Sequence, residues 1–220
     1  MISNLNLIYF LLLVFLYCKI DIFLNKYFKN NYYLLHFISN SVISIYTIND
    51  VIYTYINFDK ALDVEINYIP TIITYSLHSY HIINYYNKLL FDDWLHHILM
   101  CGIALPIGNF ISSGTMLNHS LFFLTGMPGG INYLLLFLNR NGYVARITQK
   151  KINYYLNLWI RAPGCISHSA LSVVMAYRYK KIFYEWILIL FTAILTYWNG
   201  MYFMDQVIRD YEVNRRKLKN

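Results

Sequence analysis

Two adjacent histidines, His96 and His97, follow two adjacent aspartates in the segment FDDWLHHILM at residues 91–100. Asp92 lies four residues before His96, and Asp93 lies four residues before His97. This spacing brings side chains together on a helix surface. A carboxylate beside an imidazole stabilises the protonated ring or fixes its tautomer, as a general acid or base requires. The segment predicts catalytic roles for His96, His97 and Asp93, with an N-terminal helix cap as the alternative for the aspartates.

Further polar side chains lie within other apolar runs of the chain. A charged group at the centre of a membrane helix costs about 2.5–3.5 kcal/mol on insertion scales, so such groups persist for a reason. His78 and His81 are three residues apart on one helical face, and Asn84 follows one step further along it. We predict that these groups line one shared hydrated cavity and bind a ligand there. The candidate ligand-binding residues are His36, His78, His81, Asn84, Asn118, His119 and Arg161.

The spacing of the histidines does not predict a metal centre. Membrane di-iron desaturases and hydroxylases carry HxxxH and HxxHH boxes, and neither pattern occurs among the 7 histidines of this chain. The alternative of a single zinc ion held by some of these histidines stays open, although their spacing does not require it. Cys18, Cys101 and Cys165 lack CxxC spacing and lie in apolar runs, where a free thiol behaves as a small hydrophobe. We therefore expect neither a metal nor a resident cofactor.

The composition is that of a membrane protein. Of the 220 residues, 58% are hydrophobic and only 13% are charged, whereas soluble domains have about 25% charged residues. Several apolar runs approach or exceed the roughly 20 residues that cross a bilayer as a helix. They predict an all-α, polytopic integral membrane helical bundle with about seven transmembrane helices, six and eight being compatible with the same pattern. The spans are predicted at 5–24, 32–56, 68–86, 94–113, 117–138, 154–177 and 182–204.

Basic residues predict the orientation of these spans. With seven spans and an outside N-terminus, most Lys and Arg residues fall on the cytoplasmic side, as the positive-inside rule requires. Lys60, Arg178, Lys180 and Lys181 fall on the opposite side. The net charge of +7 therefore follows the membrane topology, and it does not indicate a nucleic-acid partner.

Glycine and proline disturb two of the predicted spans. Gly126, Pro128, Gly129 and Gly130 cannot all lie in a smooth α-helix. In the next span, Arg161 comes just before a Pro-Gly pair. Irregular backbone at membrane depth survives only where it is buried in protein or lines a cavity. We predict that Arg161 points into such a cavity, with freed backbone carbonyls as its alternative partners.

Five segments occur in an order that resembles the TLC (TRAM-LAG1-CLN8) domain family, over residues 30–210. They are NNYYLLHFISNSVISIY with His36, HSYHIINYYNKLLFDDWLHHILM with His96 and His97, NHSLFFLTGMPGGINYLLLFL, LNLWIRAPG with Arg161, and LTYWNGMYFMDQVIRD. The resemblance implies a helical bundle around a polar cavity that is open to the membrane. We accordingly divide the chain into an N-terminal anchor helix at 1–29, a TLC-like transmembrane domain at 30–210 and a basic tail at 211–220.

The family includes ceramide synthases, which transfer an acyl group from acyl-CoA to a sphingoid amine, and proteins of lipid trafficking, membrane fluidity and lipid sensing. Ceramide synthases carry aspartates downstream of the paired histidines, whereas this chain has no Asp or Glu between Asp93 and Glu185. We therefore predict a protein that binds, senses or moves membrane lipids through a histidine-lined intramembrane cavity.

Two alternatives stay open. In a ceramide-synthase-like acyltransferase, His96 or His97 takes the proton of a lipid amine or alcohol, acyl-CoA is the co-substrate, and Arg161 or the basic loop at 140–151 holds its phosphates. In a structural or trafficking role there is no ligand chemistry. The resemblance also implies an address in the endoplasmic reticulum or a related internal membrane.

Overall fold

The computed structural model describes residues 4–111, 114–178 and 182–217, and none of these residues lies in a β-strand. Most of them belong to seven continuous helices. These are α1 (Asn4–Leu24), α2 (Tyr32–Ile56), α3 (Ile69–Tyr85), α4 (91–110), α5 (Thr115–Arg140), α6 (146–178) and α7 (Phe183–Arg216). The prediction of an all-α chain is confirmed.

Each helix overlaps one predicted span, but three of them stand out as membrane helices. By length and apolar composition, α1, α5 and α7 are able to cross a membrane. The arrangement with seven spans stays a prediction. The predicted tail continues α7 as far as Arg216, while residues 218–220, Lys180 and Lys181 lie outside the described residues.

Three helices contain a π-helical segment that ends two residues before a proline. The segments are His97–Ala104 in α4, Phe122–Gly126 in α5 and Asn157–Arg161 in α6. Pro106, Pro128 and Pro163 follow them in turn. Proline cannot donate a backbone hydrogen bond and clashes with the carbonyl four residues earlier, and a wider π-turn relieves that clash. As predicted, α5 is not a smooth α-helix, although its chain of helical residues is unbroken.

The buried face of α2 is polar and its exposed face is apolar. Ile45 and Ile56 are 71% and 74% exposed. The buried stripe, at helical spacing, contains His36, Asn40, Ile43, Thr47 and Thr54. This distribution reverses that of a soluble helix, whose apolar stripe faces the core. α2 also packs along α5 and α3, which places its polar stripe at the centre of the molecule.

Contacts between helix ends group the loops into two sets. At one end of the molecule, Lys29 and Asn141 join the α1–α2 and α5–α6 loops through two hydrogen bonds of 3.2 Å, and Lys150 pairs with Asp210. At the other end, Asp59 pairs with Arg178 at 2.7 Å, and the Ala61 carbonyl accepts a 2.9 Å hydrogen bond from the Thr115 N–H. Consecutive helices therefore alternate in direction.

Candidate functional site

Five histidines from three helices form one group, which we call the histidine cluster. Its members are His36 of α2, His78 and His81 of α3, and His96 and His97 of α4. Neighbouring ring centroids lie 5.0 Å apart for His36 and His81, 5.5 Å for His81 and His97, and 5.4 Å for His78 and His96. The rings of His78, His96 and His97 form a triangle, with centroids 5.4 Å apart for His78 and His96, 5.2 Å for His78 and His97, and 5.7 Å for His96 and His97.

Backbone carbonyls fix the tautomer of two rings in the cluster. Nδ1 of His36 lies 2.8 Å from the Tyr32 carbonyl oxygen, and Nδ1 of His78 lies 2.7 Å from that of Thr74. A carbonyl oxygen only accepts hydrogen bonds, so Nδ1 carries the proton in both rings and Nε2 keeps a lone pair. His78 Nε2 lies 3.3 Å from His96 Nε2, which makes His96 the donor of that pair.

The histidine cluster forms one wall of a cavity that we call the polar chamber, whose empty space is about 880 Å³ when the part open to its surroundings is included. Helices α5, α6 and α7 supply its other walls through Tyr133, Arg161 and Phe203, among others. Arg161 donates a 2.6 Å hydrogen bond to Asn199 Oδ1, and its guanidinium lies 5.1 Å from the Phe203 ring centroid. The structure thus places Arg161 at a cavity shared with the five histidines.

The two aspartates of the DDWLHH segment also line the polar chamber. Asp93 Oδ2 accepts a 2.9 Å hydrogen bond from the Leu90 N–H, which caps the first turn of α4. Asp92 Oδ1 accepts a 2.9 Å hydrogen bond from the Tyr202 hydroxyl. Asp93 therefore caps the start of its own helix, and Asp92 links α4 to α7.

A second cavity, the apolar chamber, adjoins the polar chamber, and its empty space is about 910 Å³ when the part open to its surroundings is included. Its walls are mainly Leu, Ile and Met side chains, including Met100, Leu105 and Met175. The two chambers share four lining residues, which are His78, His96, Leu124 and Thr125. A molecule with a polar head and an apolar chain matches this pair of chambers, because each part meets surroundings of its own kind.

All three π-helical segments contribute to the polar chamber. His97 belongs to the first segment, Thr125 to the second and Arg161 to the third. Thr125 also donates a 2.9 Å hydrogen bond to Asn40 Oδ1 on α2. π-Bulges are rare and occur frequently at functional sites. Their convergence therefore marks the polar chamber as the candidate functional site.

Three predicted ligand-binding residues lie elsewhere in the molecule. None of them is among the described residues that line either chamber. Asn84 donates to buried Asp21 at 3.3 Å and so ties α3 to α1. Asn118 donates to Asp50 at 2.6 Å and to a loop carbonyl. His119 stacks on His168, with ring centroids 5.5 Å apart. The single shared cavity that we predicted thus does not extend to these residues, because their helix faces point toward other helices.

Several residues of the polar chamber were missed by the sequence analysis. They are Asn40, Asn132, Tyr133, Asn153, Asn157, Phe203 and Val207. Helical spacing offered a signal for two of them, since Asn40 lies four residues after His36 and Asn157 four before Arg161. The abundance of Asn and Tyr throughout the chain masked that signal.

The donor atoms of His78, His97 and Cys101 form a group that is able to hold a metal ion, because they all lie within 4.8 Å of one another. Two of the three are histidines of the cluster, while Cys101 lies one turn after His97. The expectation that the chain holds no metal stays a prediction.

Comparison of the chain with protein-family models, with curated proteins and with solved structures finds no match in any of the three. The resemblance to the TLC family therefore stays a prediction, and the function has to be argued from the geometry of the chambers.

Proposed function

We propose that this chain is a multi-pass, TLC-like membrane protein of seven spans that binds, senses or moves lipids. One observation carries the proposal: a polar chamber and an apolar chamber adjoin at His78, His96, Leu124 and Thr125. A lipid likewise consists of a polar headgroup joined to an apolar chain. We place its headgroup among the histidine cluster and Arg161, and its acyl chain between the Leu and Met side chains beyond His96.

The helix ends support seven crossings. If only α1, α5 and α7 crossed the bilayer, the α1–α2 loop and the α5–α6 loop would lie on opposite sides. Lys29 and Asn141 of these two loops are joined by hydrogen bonds, which requires the same side. The exposed apolar face of α2 supports the same conclusion, because bilayer hydrocarbon would cover it. An internal membrane such as the endoplasmic reticulum is proposed from the family resemblance.

The chemistry of the polar chamber suits a headgroup with acceptor and donor groups. The Nε2 lone pair of His36 accepts a hydrogen bond from a hydroxyl or amine, since its Nδ1 proton is already engaged. The Arg161 guanidinium has further N–H donors beyond the one that binds Asn199, and these suit a phosphate or carbonyl oxygen.

Co-purified lipid tests this proposal. The wild type and a His36→Gln/His81→Gln variant are purified in detergent, and bound lipid per chain is measured by mass spectrometry. We expect retained polar lipid to fall about tenfold in the variant, as loss of roughly 1.4 kcal/mol would produce. The matched control is His119→Gln, a buried histidine outside the chambers, which should retain wild-type lipid. Equal lipid in all three proteins would contradict the proposal.

The position of His96 favours acyl transfer as a second candidate function. His96 lines both chambers, so its ring lies where an acyl chain in one would meet a headgroup nucleophile in the other. In this reaction His96 takes the proton of a lipid amine or alcohol, the nucleophile attacks the thioester carbon of acyl-CoA, and the protonated imidazole returns the proton to the departing thiolate.

Lipid analysis of cells that express the chain separates the two functions. New acylated lipids that disappear in a His96→Ala/His97→Ala variant would establish acyl transfer. Bound lipid without any new product would favour the lipid-binding protein. A role without ligand chemistry predicts that neither histidine variant changes the phenotype of the expressing cell.

A further inference from the structure

We propose that His78, His97 and Cys101 form a zinc site on the boundary between the polar and apolar chambers. Their donor atoms come from two helices and lie within 4.8 Å of one another. His97 lines the polar chamber, Cys101 lines the apolar chamber, and His78 lines both. This inference is independent of the lipid proposal, since it rests only on the three side chains and their surroundings.

The local structure of α3 and α4 brings the three metal-donor side chains together. His97 and Cys101 are four residues apart within the π-helical segment His97–Ala104, so they lie one above the other on the same side of α4. His78 faces them from α3, and its Nδ1 proton is held by the Thr74 carbonyl at 2.7 Å. A metal-binding histidine usually donates its second N–H to such an oxygen, and the Nε2 lone pair of His78, which now accepts a hydrogen bond from His96, would then coordinate the metal.

His97 gives a second, independent indication of a ligand. Its side chain is only 6% exposed, and both ring nitrogens lack a hydrogen-bond partner among the residues that the structure describes. Leaving a buried polar atom unpaired costs about 1–3 kcal/mol. A metal ion bound to one of these nitrogens would remove that cost for the nitrogen that it binds.

The distances require a small adjustment of the side chains. Donors at 2.0–2.3 Å from a tetrahedral zinc ion lie about 3.5 Å apart, so the three atoms must approach by roughly 1 Å. Side-chain rotations of His97 and Cys101 supply this movement without a change in the backbone. His96 is the candidate fourth ligand, because its Nε2 is 3.3 Å from the Nε2 of His78 and could coordinate once it gives up the proton that it donates to His78.

The donor set selects the class of metal. Imidazole nitrogens combined with a cysteine thiolate suit zinc, whereas magnesium and calcium prefer oxygen ligands. The nearby carboxylates of Asp92 and Asp93 accept hydrogen bonds from Tyr202 and Leu90 instead. A bound ion would link α3 to α4 and place a positive charge at the junction of the two chambers.

Metal content of the purified protein tests the site. The chain is produced with an affinity tag that contains no histidine, purified in detergent, and analysed by inductively coupled plasma mass spectrometry. We expect about one zinc ion per chain in the wild type and less than about a tenth of that in Cys101→Ser, given a site with three protein ligands. Cys18→Ser and His119→Gln are the matched controls, and both should keep the zinc of the wild type.

Two further measurements are made first on the wild type, and only the comparison with Cys101→Ser depends on the folding of a variant. Wild-type protein reconstituted with Co²⁺ should show a thiolate-to-cobalt charge-transfer band, which Cys18→Ser keeps and Cys101→Ser loses. In the wild type, zinc should also protect Cys101 from alkylation until a chelator removes it. The site is overturned if the wild type binds no zinc and gives no cobalt band, or if zinc and the band persist in Cys101→Ser. Lipid measured in the same samples shows separately whether the lipid proposal fails.

Discussion

Asp21 is a buried carboxylate, 4% exposed, that holds α1 against α3. It accepts a 2.9 Å hydrogen bond from Asn31, another of 2.9 Å from the Tyr85 hydroxyl and one of 3.3 Å from Asn84. Hydrogen bonds offset the cost of burying such a group, and removing one donor leaves part of that cost uncompensated. The network therefore gives Asn84 a structural role.

The substitution Asn84→Ala tests that role. We expect a loss of about 1 kcal/mol of stability, because one hydrogen bond to a buried carboxylate disappears. The midpoint of thermal unfolding in detergent should fall by about 2–4 °C for a chain of this size, while co-purified lipid stays at the wild-type level. His81→Gln provides the opposite pattern, with lipid lost and the midpoint nearly unchanged. Loss of lipid in Asn84→Ala would show instead that Asn84 contributes to lipid binding.

Sequence spacing predicted the histidines of the polar chamber better than its amides. Buried histidines within apolar runs are costly, so their presence was informative, and five of the seven converge with Arg161 on one cavity. Asn84 is three residues beyond His81, which turns its side chain about 60° further around α3, toward α1. His119 lies on a face of α5 that meets His168 of α6. Such differences depend on which helices become neighbours, and spacing within one helix does not contain that information.

At the scale of the helices, close approach depends on particular glycines. A Cβ added to Gly164 of α6 would lie 2.0 Å from Cδ1 of Phe123, which belongs to the π-helical segment of α5, so the two helices are in close contact here. A Cβ on Gly102 of α4 would meet its nearest neighbour at 3.6 Å, an ordinary contact. The same change, glycine to alanine, therefore has opposite consequences at the two positions.

We expect Gly164→Ala to destabilise the protein by about 1–3 kcal/mol, because Phe123 must leave its position to make room. Gly102→Ala is the matched control, and it should be neutral or stabilising by up to about 1 kcal/mol through its better helix propensity. Thermal unfolding of both variants in the same detergent measures the difference. Adding Phe123→Ala to Gly164→Ala should relieve the clash. An equal effect of both single substitutions would contradict the steric explanation.

For the whole molecule, alternating helix directions place most of the polar chamber in the same half of the bundle. His36 is near the start of α2, His81 near the end of α3, and Arg161 in the half of α6 that begins beside the α5–α6 loop. The apolar composition predicted the helices and their order. It did not predict that, among the helices that the structure describes, only α1, α5 and α7 have the length and apolar composition of membrane helices.

Membrane topology distinguishes seven crossings from three. We expect Lys26→Cys and Tyr143→Cys to react with a membrane-impermeant maleimide from the same side of sealed vesicles, and Lys60→Cys to react only from the opposite side. The reason is that the α1–α2 and α5–α6 loops are hydrogen-bonded to each other through Lys29 and Asn141. If only α1, α5 and α7 crossed, Lys26→Cys and Lys60→Cys would share one side and Tyr143→Cys would be on the other. That result would contradict the polar chamber, because its walls come from helices that the contact between Lys29 and Asn141 holds together.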